Sequence, residues 1–193
     1  MHHIYHTEGL ILGSKNYRET SKYYFLFTRD LGMIYASAQG VRKISSKLRF
    51  VLQDFSYVKI DLVRGKDFWR VTSASKTNKL ENISKDEDTL FVFANIARLL
   101  KRLLAGEDPN EELFENLIKG LTFLEKAKDK KELENIEMFI VLRILDSLGY
   151  IGGNKEIENL TKSPFEVDLI PEIGKHRTKI LSEINKAIGE THL

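Results

Sequence analysis

Cysteine is absent from the 193 residues of the chain. Without thiols there is no disulfide and no thiolate metal site, so packing alone has to stabilise the fold. Long apolar runs are also absent, because no stretch approaches the roughly 18 consecutive apolar residues that a membrane-spanning helix requires. The first ten residues lack the charged-then-apolar pattern of a secretory signal. We therefore expect a globular cytoplasmic protein that makes no membrane contact.

Sequence motifs of the common enzyme classes are missing as well. The chain contains no GxxxxGK[ST], GxSxG, GxGxxG or HExxH, which are the signatures of nucleotide hydrolysis, acyl transfer, hydride transfer and zinc proteolysis. Its five histidines lie near the two ends of the chain, where imidazoles lack the supporting hydrogen bonds of a metal site. We predict a protein without enzymatic activity, cofactor or bound metal.

Charge is distributed unevenly along the chain. The first 80 residues contain 14 Lys and Arg against 6 Asp and Glu, a net charge of +8, whereas residues 81–193 contain 16 against 22, a net charge of −6. No acidic residue occurs between Leu31 and Gln53, and the segment GVRKISSKLR, residues 40–49, carries four cations. Such a distribution predicts that the first part of the chain contacts a polyanion.

Hydrophobic periodicity also changes near residue 80. The first part shows short blocks of alternating or apolar residues broken by glycine and polar turns, which is typical of strands. Five short strands with a longer connection after the third fit a closed barrel of the OB-fold type, with an SH3-like barrel as the alternative. The predicted strands are residues 5–13, 22–28, 33–38, 55–63 and 68–75, and a short helix is predicted at 46–50.

From about residue 83 the periodicity is that of helices. Residues 84–87 have the sequence of a capping box and open the first amphipathic helix, and Asp108-Pro109 opens the second. The third helix, residues 131–148, is apolar on nearly every side, so we expect it to be central. The last helix is predicted at residues 173–188. Before it, turns are predicted at 152–154 and 163–164.

The predicted fold class is α+β, with a five-stranded OB-fold nucleic-acid-binding domain at residues 1–80 and an all-helical domain at residues 81–193. An OB-fold barrel holds the backbone of a single strand on cations and stacks its bases on aromatic rings. The candidate cations are Arg42, Lys43, Lys47 and Arg49 in the basic segment, Lys15 and Arg18 after the first strand, and Arg64, Lys66 and Arg70 at the last hairpin. The candidate rings are Tyr17, Tyr23, Tyr35, Tyr57, Phe68 and Trp69, although strand alternation places Tyr57 and one of Phe68 and Trp69 in the barrel core.

Five sequence blocks occur in a characteristic order and spacing. They are TEGLILGSKNYRE (7–19), LFTRDLGMI (26–34), GVRKISSKLR (40–49), LQDFS (52–56) and LVRGKDFWRVT (62–72). Together they resemble the N-terminal domain of the RecO family of bacterial DNA repair proteins. The resemblance continues more weakly into that family's helical domain through LLAGEDPNEELFENLIKGLTFLE (103–125) and LRILDSLGYIGG (142–153).

The resemblance implies a recombination mediator associated with the nucleoid. Members of this family bind single- and double-stranded DNA, anneal complementary strands and help to load RecA onto DNA coated by single-strand-binding protein. They work with RecR and, in many bacteria, with RecF. They act without nucleotide hydrolysis, which agrees with the missing phosphate-binding loop.

The chain departs from the family pattern after Leu148-Gly149-Tyr150. Typical members carry a four-cysteine zinc module at this point, followed by further helices. This chain has no cysteine, and about 20 residues separate the tripeptide from the last predicted helix. Metal binding is therefore not carried over from the resemblance.

A second expectation concerns partner binding by the helices. In the family, the helical domain receives the acidic, phenylalanine-ending tail of single-strand-binding protein, which requires an apolar socket with a cationic rim. The candidate rim residues are Arg98, Lys101 and Arg102 on the first helix and Arg143 on the central one. A solvated helix surface is the alternative for each of them. Arg143 stands in so apolar a helix that it needs a partner, which Asp146 supplies in the simplest case.

Two other functions compete with DNA repair at this stage. An OB-fold protein associated with tRNA or the ribosome would share the basic barrel but would prefer structured RNA. A partner-docking adaptor with decayed DNA binding would keep the helical core and lose its salt-sensitive affinity for DNA.

Overall fold

A closed barrel of five strands forms the N-terminal part of the computed structural model, which describes residues 3–152, 155–163 and 169–190. All five predicted strands are present, and the first extends four residues beyond its predicted end at residue 13. The barrel, followed by helices, confirms the predicted fold class. Its elements are β1 (Ile4–Tyr17), β2 (Ser21–Thr28), β3 (Gly32–Ala38), α1 (Leu48–Val51), β4 (Tyr57–Arg64) and β5 (Trp69–Lys76).

Strand β1 closes the barrel because it bends between two partners. Residues 4–10 pair antiparallel with β4, and residues 9–17 pair antiparallel with β2. Gly13 lies at a register shift with a φ of 147°, a backbone conformation that favours glycine and allows the bend. A short parallel pairing of Ala36 with Trp69 joins β3 to β5. Each of the five strands therefore has a neighbour on both sides.

Apolar side chains from the strands fill the inside of the barrel. Leu48 and Val51 of α1 pack against this cluster, so the short helix is fastened to the barrel. The cluster includes Ile11, Leu26, Ile34, Ile60 and Leu62, each at most 1 % exposed.

The other described residues form a short 3₁₀ turn and six further helices. Helix α4 contacts the five other helices of this part, which confirms that it is the central one. Its Phe139, Leu142 and Leu145 are completely buried. The elements are the turn Ile83–Lys85, α2 (Glu87–Leu103), α3 (Glu111–Leu124), α4 (Lys130–Ser147), α5 (Lys155–Lys162), α6 (Leu169–Lys175) and α7 (Arg177–Glu190).

The predicted start of the first long helix is wrong by two residues. Ser84 belongs to the 3₁₀ turn, which buries Ile83, and the N-cap of α2 is Asp86. The carboxylate of Asp86 accepts hydrogen bonds from the hydroxyl and the amide of Thr89 at 2.6 and 2.8 Å, and both bonds lower the pKa of Asp86. An anion at this position also interacts favourably with the helix dipole.

The predicted start of the next helix is wrong for a tertiary reason. The backbone of Asp108 lies against Gly32 in the β2–β3 turn, so closely that a Cβ at Gly32 would collide with it. Helix α3 therefore begins later, with Asn110 as its N-cap accepting a bond from the Leu113 amide at 2.9 Å.

The predicted last helix, residues 173–188, is two helices in the structure. Helices α6 and α7 are separated at His176, whose amide bonds back to the carbonyls of Glu172 and Ile173. Residues 153, 154 and 164 of the predicted turns lie outside the described residues.

The barrel and the helices share one hydrophobic core. Leu10, Leu12 and Phe27 face out of the barrel and belong to the same buried cluster as residues of α2, α3 and α4. Phe114 of α3 is completely buried at this seam, with its ring centroid 5.4 Å from that of Phe27 and 6.1 Å from that of Tyr57. Removing its ring would leave a cavity between the two parts of the chain.

Residues 104–110, between α2 and α3, hold the barrel from a second side. The amide of Met33 donates to the carbonyl of Gly106 at 3.1 Å. The carboxylate of Glu107 pairs with Arg64 and accepts a bond from Trp69 Nε1 at 3.1 Å. A backbone contact thus fixes the start of β3 to this segment, and side-chain contacts fix the β4–β5 hairpin to it.

We expect Phe114→Ala to lower the free energy of unfolding by about 3–5 kcal/mol, because it removes a buried ring and leaves a cavity at the seam. Denaturant unfolding followed by circular dichroism measures the change. Phe91→Ala is the matched control, since Phe91 of α2 is 63 % exposed and its loss should change stability by less than about 0.5 kcal/mol. Equal effects of the two substitutions would contradict the seam described here.

Candidate nucleic-acid interface

Three connections of the barrel meet around a groove of about 670 Å³. They are the β1–β2 turn, the segment that follows β3 and the β4–β5 hairpin. Their cations Arg18, Lys43, Lys66 and Arg70 line the groove together with the carboxylates of Glu19 and Asp67. In OB folds, the loops after the first and fourth strands and the face of the second and third strands bind oligonucleotides. The groove has that location.

Aromatic rings form one wall of the groove. Tyr17 and Phe68 line it, and Tyr23 lies between them, with its centroid 4.1 Å from the ring of Tyr17 and 4.9 Å from that of Phe68. Desolvation raises the pKa of Tyr23 to about 12, and the neighbouring phenol of Tyr23 lowers the pKa of Tyr17. Like an ordinary tyrosine, Tyr23 is uncharged near neutral pH and does not repel a phosphate.

A second pair of rings lies further along the outer face of the same strands. Phe25 of β2 is paired in register with Tyr35 of β3, and their rings meet edge to face at 5.0 Å. The ammonium groups of Lys15 and Lys101 lie 5.6 and 5.5 Å from the centre of the Phe25 ring. Tyr35 is 55 % exposed. Cations and rings are thus combined here as they are at the groove.

Two residues at this second pair of rings, Phe25 and Lys101, were not predicted from the sequence as DNA-binding residues. Phe25 was not among the predicted rings, although its alternation with buried Tyr24 and Leu26 places it on the outside. Lys101 was predicted for partner binding, whereas its Nζ lies over a barrel ring. No local sequence signal indicates that contact, because it depends on how α2 packs against the barrel.

The basic segment after β3 is a series of turns with defined anchors. Val41 is 2 % exposed within the barrel cluster, and the amide of Arg42 donates to the carbonyl of Thr20 at 2.9 Å. The guanidinium of Arg42 also donates to the carbonyl of Glu19 at 2.9 Å, which links the segment to the β1–β2 turn. Lys47 is the residue before α1, and Arg49 lies within it.

Most of the predicted cations have no carboxylate partner. In the ranges that the structure describes, ion pairs are absent at Lys15, Arg18, Arg42, Lys43, Lys47, Arg49, Lys66 and Arg70. Arg64 differs, because it pairs with Glu107 and its guanidinium lies 4.9 Å from the centre of the Trp69 ring. Trp69 is 4 % exposed in the barrel core, as predicted, whereas Tyr57 is 5 % exposed in the cluster shared with the helices, so its predicted position inside the barrel is wrong.

The four predicted partner residues do not share one cleft. Arg98 bonds to Asn95 on the exposed side of α2, and Arg102 is exposed in the last turn of that helix. Arg143 is 8 % exposed and lines a separate polar cleft of about 650 Å³ between α3, α4 and α5.

Arg143 is held by groups within that cleft. Its guanidinium donates to Asn116 Oδ1 at 3.3 Å and to the carbonyl of Ser163, and it lies 4.7 Å from the centre of the Phe139 ring. Burial lowers the pKa of Arg143, and the carboxylates of Asp146 and Glu112 oppose that shift. The charge at this position is thus balanced inside the helical part.

Two negative findings apply to the described ranges only. No helix there is long and apolar enough to cross a bilayer. In the same ranges, no group of three or more His, Asp or Glu is placed to hold a metal ion.

Comparison with known proteins gives two consecutive family matches. Residues 1–79 match the family described as "Recombination protein O N terminal", and residues 84–151 match "Recombination protein O C terminal". The two matches together cover 147 of the 193 residues. Residues 80–83 separate the two matches, and the second begins within the 3₁₀ turn that follows β5.

Curated relatives agree with these matches. The chain is 29 % identical over 147 residues to the DNA repair protein RecO of Clostridium novyi, covering 76 % of this chain and 57 % of that protein. It is 30 % identical over 143 residues to the DNA repair protein RecO of Alkaliphilus metalliredigens, covering 74 % and 57 %. The chain thus spans about half the length of the curated relatives it matches. From its barrel, its helices and both matches, the chain belongs to the Recombination protein O (RecO) family of DNA repair proteins.

Proposed function

We propose that this chain is a DNA-binding recombination mediator that holds DNA on the outer face of its barrel. One observation carries the proposal: the eight barrel cations without carboxylate partners in the described ranges lie among rings that are half-buried or, at Tyr35, exposed. In this proposal the barrel, residues 1–80, is the nucleic-acid-binding domain, and residues 81–193 are the docking domain. A DNA ligand also implies a cytoplasmic, nucleoid-associated protein.

The proposed path of a single strand begins at the groove. Lys66 and Arg70 of the β4–β5 hairpin and Lys43 hold phosphates there, while bases stack on Tyr17 and Phe68. The strand then crosses the outer face of β1, β2 and β3. Cationic contacts to phosphates are interchangeable along this path, so we expect little sequence preference.

The second pair of rings continues the path towards the helices. Phe25 and Tyr35 offer stacking surfaces, and Lys15 and Lys101 lie within reach of the adjacent phosphates. We therefore assign Lys101 to the DNA path rather than to a partner site. Arg64 is left out of the path, because Glu107 already neutralises its charge.

Strand annealing follows from the same electrostatics. Cations between two polyanionic strands reduce their repulsion without reading base edges, so base pairing alone selects the partner strand. We propose that RecA loading needs partners as well, namely RecR, the tail of single-strand-binding protein and, in some bacteria, RecF. The exposed cations Arg98 and Arg102 of α2 are the proposed contact for the acidic tail, and the Arg143 cleft is the alternative contact.

The first prediction concerns the basic segment. Changing Arg42, Lys43, Lys47 and Arg49 together to alanine removes about four phosphate contacts, each worth roughly 0.7 in the slope of log K against log salt concentration. We expect the slope for single-stranded DNA to flatten by about 3. Fluorescence anisotropy of a labelled oligonucleotide at several salt concentrations measures it.

A control with the same change in net charge exists in the helical part. Lys126, Lys128, Lys130 and Lys131 are exposed, and changing all four to alanine should leave the slope unchanged. Equal flattening by both quadruple variants would mean that only net charge matters and would refute the site. Parallel titrations with duplex DNA and structured RNA separate DNA repair from the RNA alternative, and an intact protein that binds none of them is an adaptor.

The second prediction concerns the exposed ring of Tyr35. Tyr35→Ala should weaken single-strand binding by about 1–3 kcal/mol, because one base loses its stacking surface, while the salt slope stays the same. Tyr5→Ala is the control, since Tyr5 is 36 % exposed but lies on the side of β1 that pairs with β4. A loss of affinity in the control as large as in Tyr35→Ala would contradict the proposed path.

The third prediction decides the role of Lys101. Lys101→Ala should flatten the single-strand salt slope by about 0.7, the value for one phosphate contact. Binding of an acidic, phenylalanine-ending peptide should be unchanged. The opposite result, with an unchanged slope and weakened peptide binding, would show that Lys101 contacts the peptide partner and not DNA.

A further inference from the structure

Two large apolar side chains, one within the basic segment and one immediately after it, project into solvent. Ile44 is 88 % exposed, and Phe50 is 60 % exposed. Burial of such side chains is favourable in water, so their exposure within a short segment that has its own anchors calls for an explanation. Both positions lie among the cations that the proposed function assigns to DNA.

The segment presents these side chains on a preformed backbone. Val41 near its start and Leu52 shortly after its end are 2 % and 3 % exposed in the barrel core. Between them the amide of Lys43 donates to the carbonyl of Gly40 at 3.0 Å, and the amide of Ser46 donates to the carbonyl of Lys43 at 3.0 Å. Successive turns with buried ends hold the exposed residues away from the core. Little ordering is then needed when a ligand covers them.

The cations of the segment face two different hollows. Lys43 lines the groove, whereas Arg42 and Arg49 line a second hollow of about 230 Å³ together with Lys22. The guanidinium of Arg49 also lies 5.4 Å from the centre of the Phe50 ring. The segment therefore offers phosphate-binding groups beyond the groove, next to apolar side chains.

We propose that Ile44 and Phe50 insert between stacked bases of duplex DNA while Arg42, Lys47 and Arg49 hold the flanking phosphates. This inference rests on the proposed function and adds a second contact to it. Isoleucine and phenylalanine are among the residues that proteins use as wedges between base steps, and such wedges unstack the bases locally. In this proposal the rings at the groove stack only on the bases of single strands, whereas the cations of the segment contact phosphates of single strands and of the duplex.

The test uses a duplex with 2-aminopurine, whose fluorescence is quenched by stacking, at a central position. Binding of the intact chain should raise the fluorescence. The double variant Ile44→Ala/Phe50→Ala should bind the duplex about tenfold more weakly and give no rise, with the salt slope unchanged. Phe91→Ala removes an equally exposed phenylalanine from α2 and should keep the rise. Thermal unfolding confirms that each variant is folded.

Several outcomes would overturn the wedge. Salt-sensitive duplex binding without a fluorescence rise, or a rise that survives in the double variant, refutes the wedge and leaves the proposed function intact. Absence of any duplex or single-strand binding refutes both. Binding to vesicles of phosphatidylglycerol is measured for the intact chain and for the double variant as a further comparison. If the double variant loses vesicle binding but keeps the fluorescence rise, the exposed side chains contact a lipid surface instead of bases.

Discussion

One half of the outer barrel face is buried against the helices, so only the other half is accessible to a ligand. Leu10, Leu12 and Phe27 are buried in the core that the barrel shares with the helices around Phe114. Beyond the bulge at Gly13, the same strands leave the core, and their outward positions carry cations and rings instead. A single packing constraint thus divides the outer surface of β1 and β2 into a structural end and an end that is open to a ligand.

The distribution of ion pairs follows the same division. Arg29 pairs with Glu115 of α3, and Arg64 pairs with Glu107, so the two arginines nearest the seam are neutralised by acids of the helical part. Cations away from the seam have no such acids within reach in the described ranges. The half-buried pair of Arg29 and Glu115 is weakly affected by salt, whereas exposed charges are screened over about 8 Å at physiological ionic strength. The stability of the seam and the affinity for DNA should therefore respond differently to salt.

The barrel, the central helix and the location of the basic segment could be predicted from the sequence, because hydrophobic periodicity and local charge determine them. Helix starts were less predictable. Asp86 and Asn110 each stand two residues from the polar residue first chosen as a cap, and packing of Ile83 and Asp108 decides between them. The contact of Lys101 with Phe25 is beyond sequence reasoning, since it joins residues 76 positions apart through docking of α2. The exposure of Ile44 could not be predicted either, because the sequence does not show which apolar residue of a loop is buried in the core and which is exposed.

The opposite charges of the two parts of the chain also restrict where a bound strand can run. The net charge of −6 on residues 81–193 repels phosphates, while the +8 on the first 80 residues attracts them. In the proposed function, a strand on the outer barrel face would follow the barrel and meet a favourable helical residue at Lys101, whose ammonium lies over the Phe25 ring. The net negative charge of residues 81–193 disfavours DNA on the rest of the helical surface. If the barrel holds DNA as proposed, a partner can dock on the exposed cations of α2 at the same time, which is the arrangement that the proposed loading role requires.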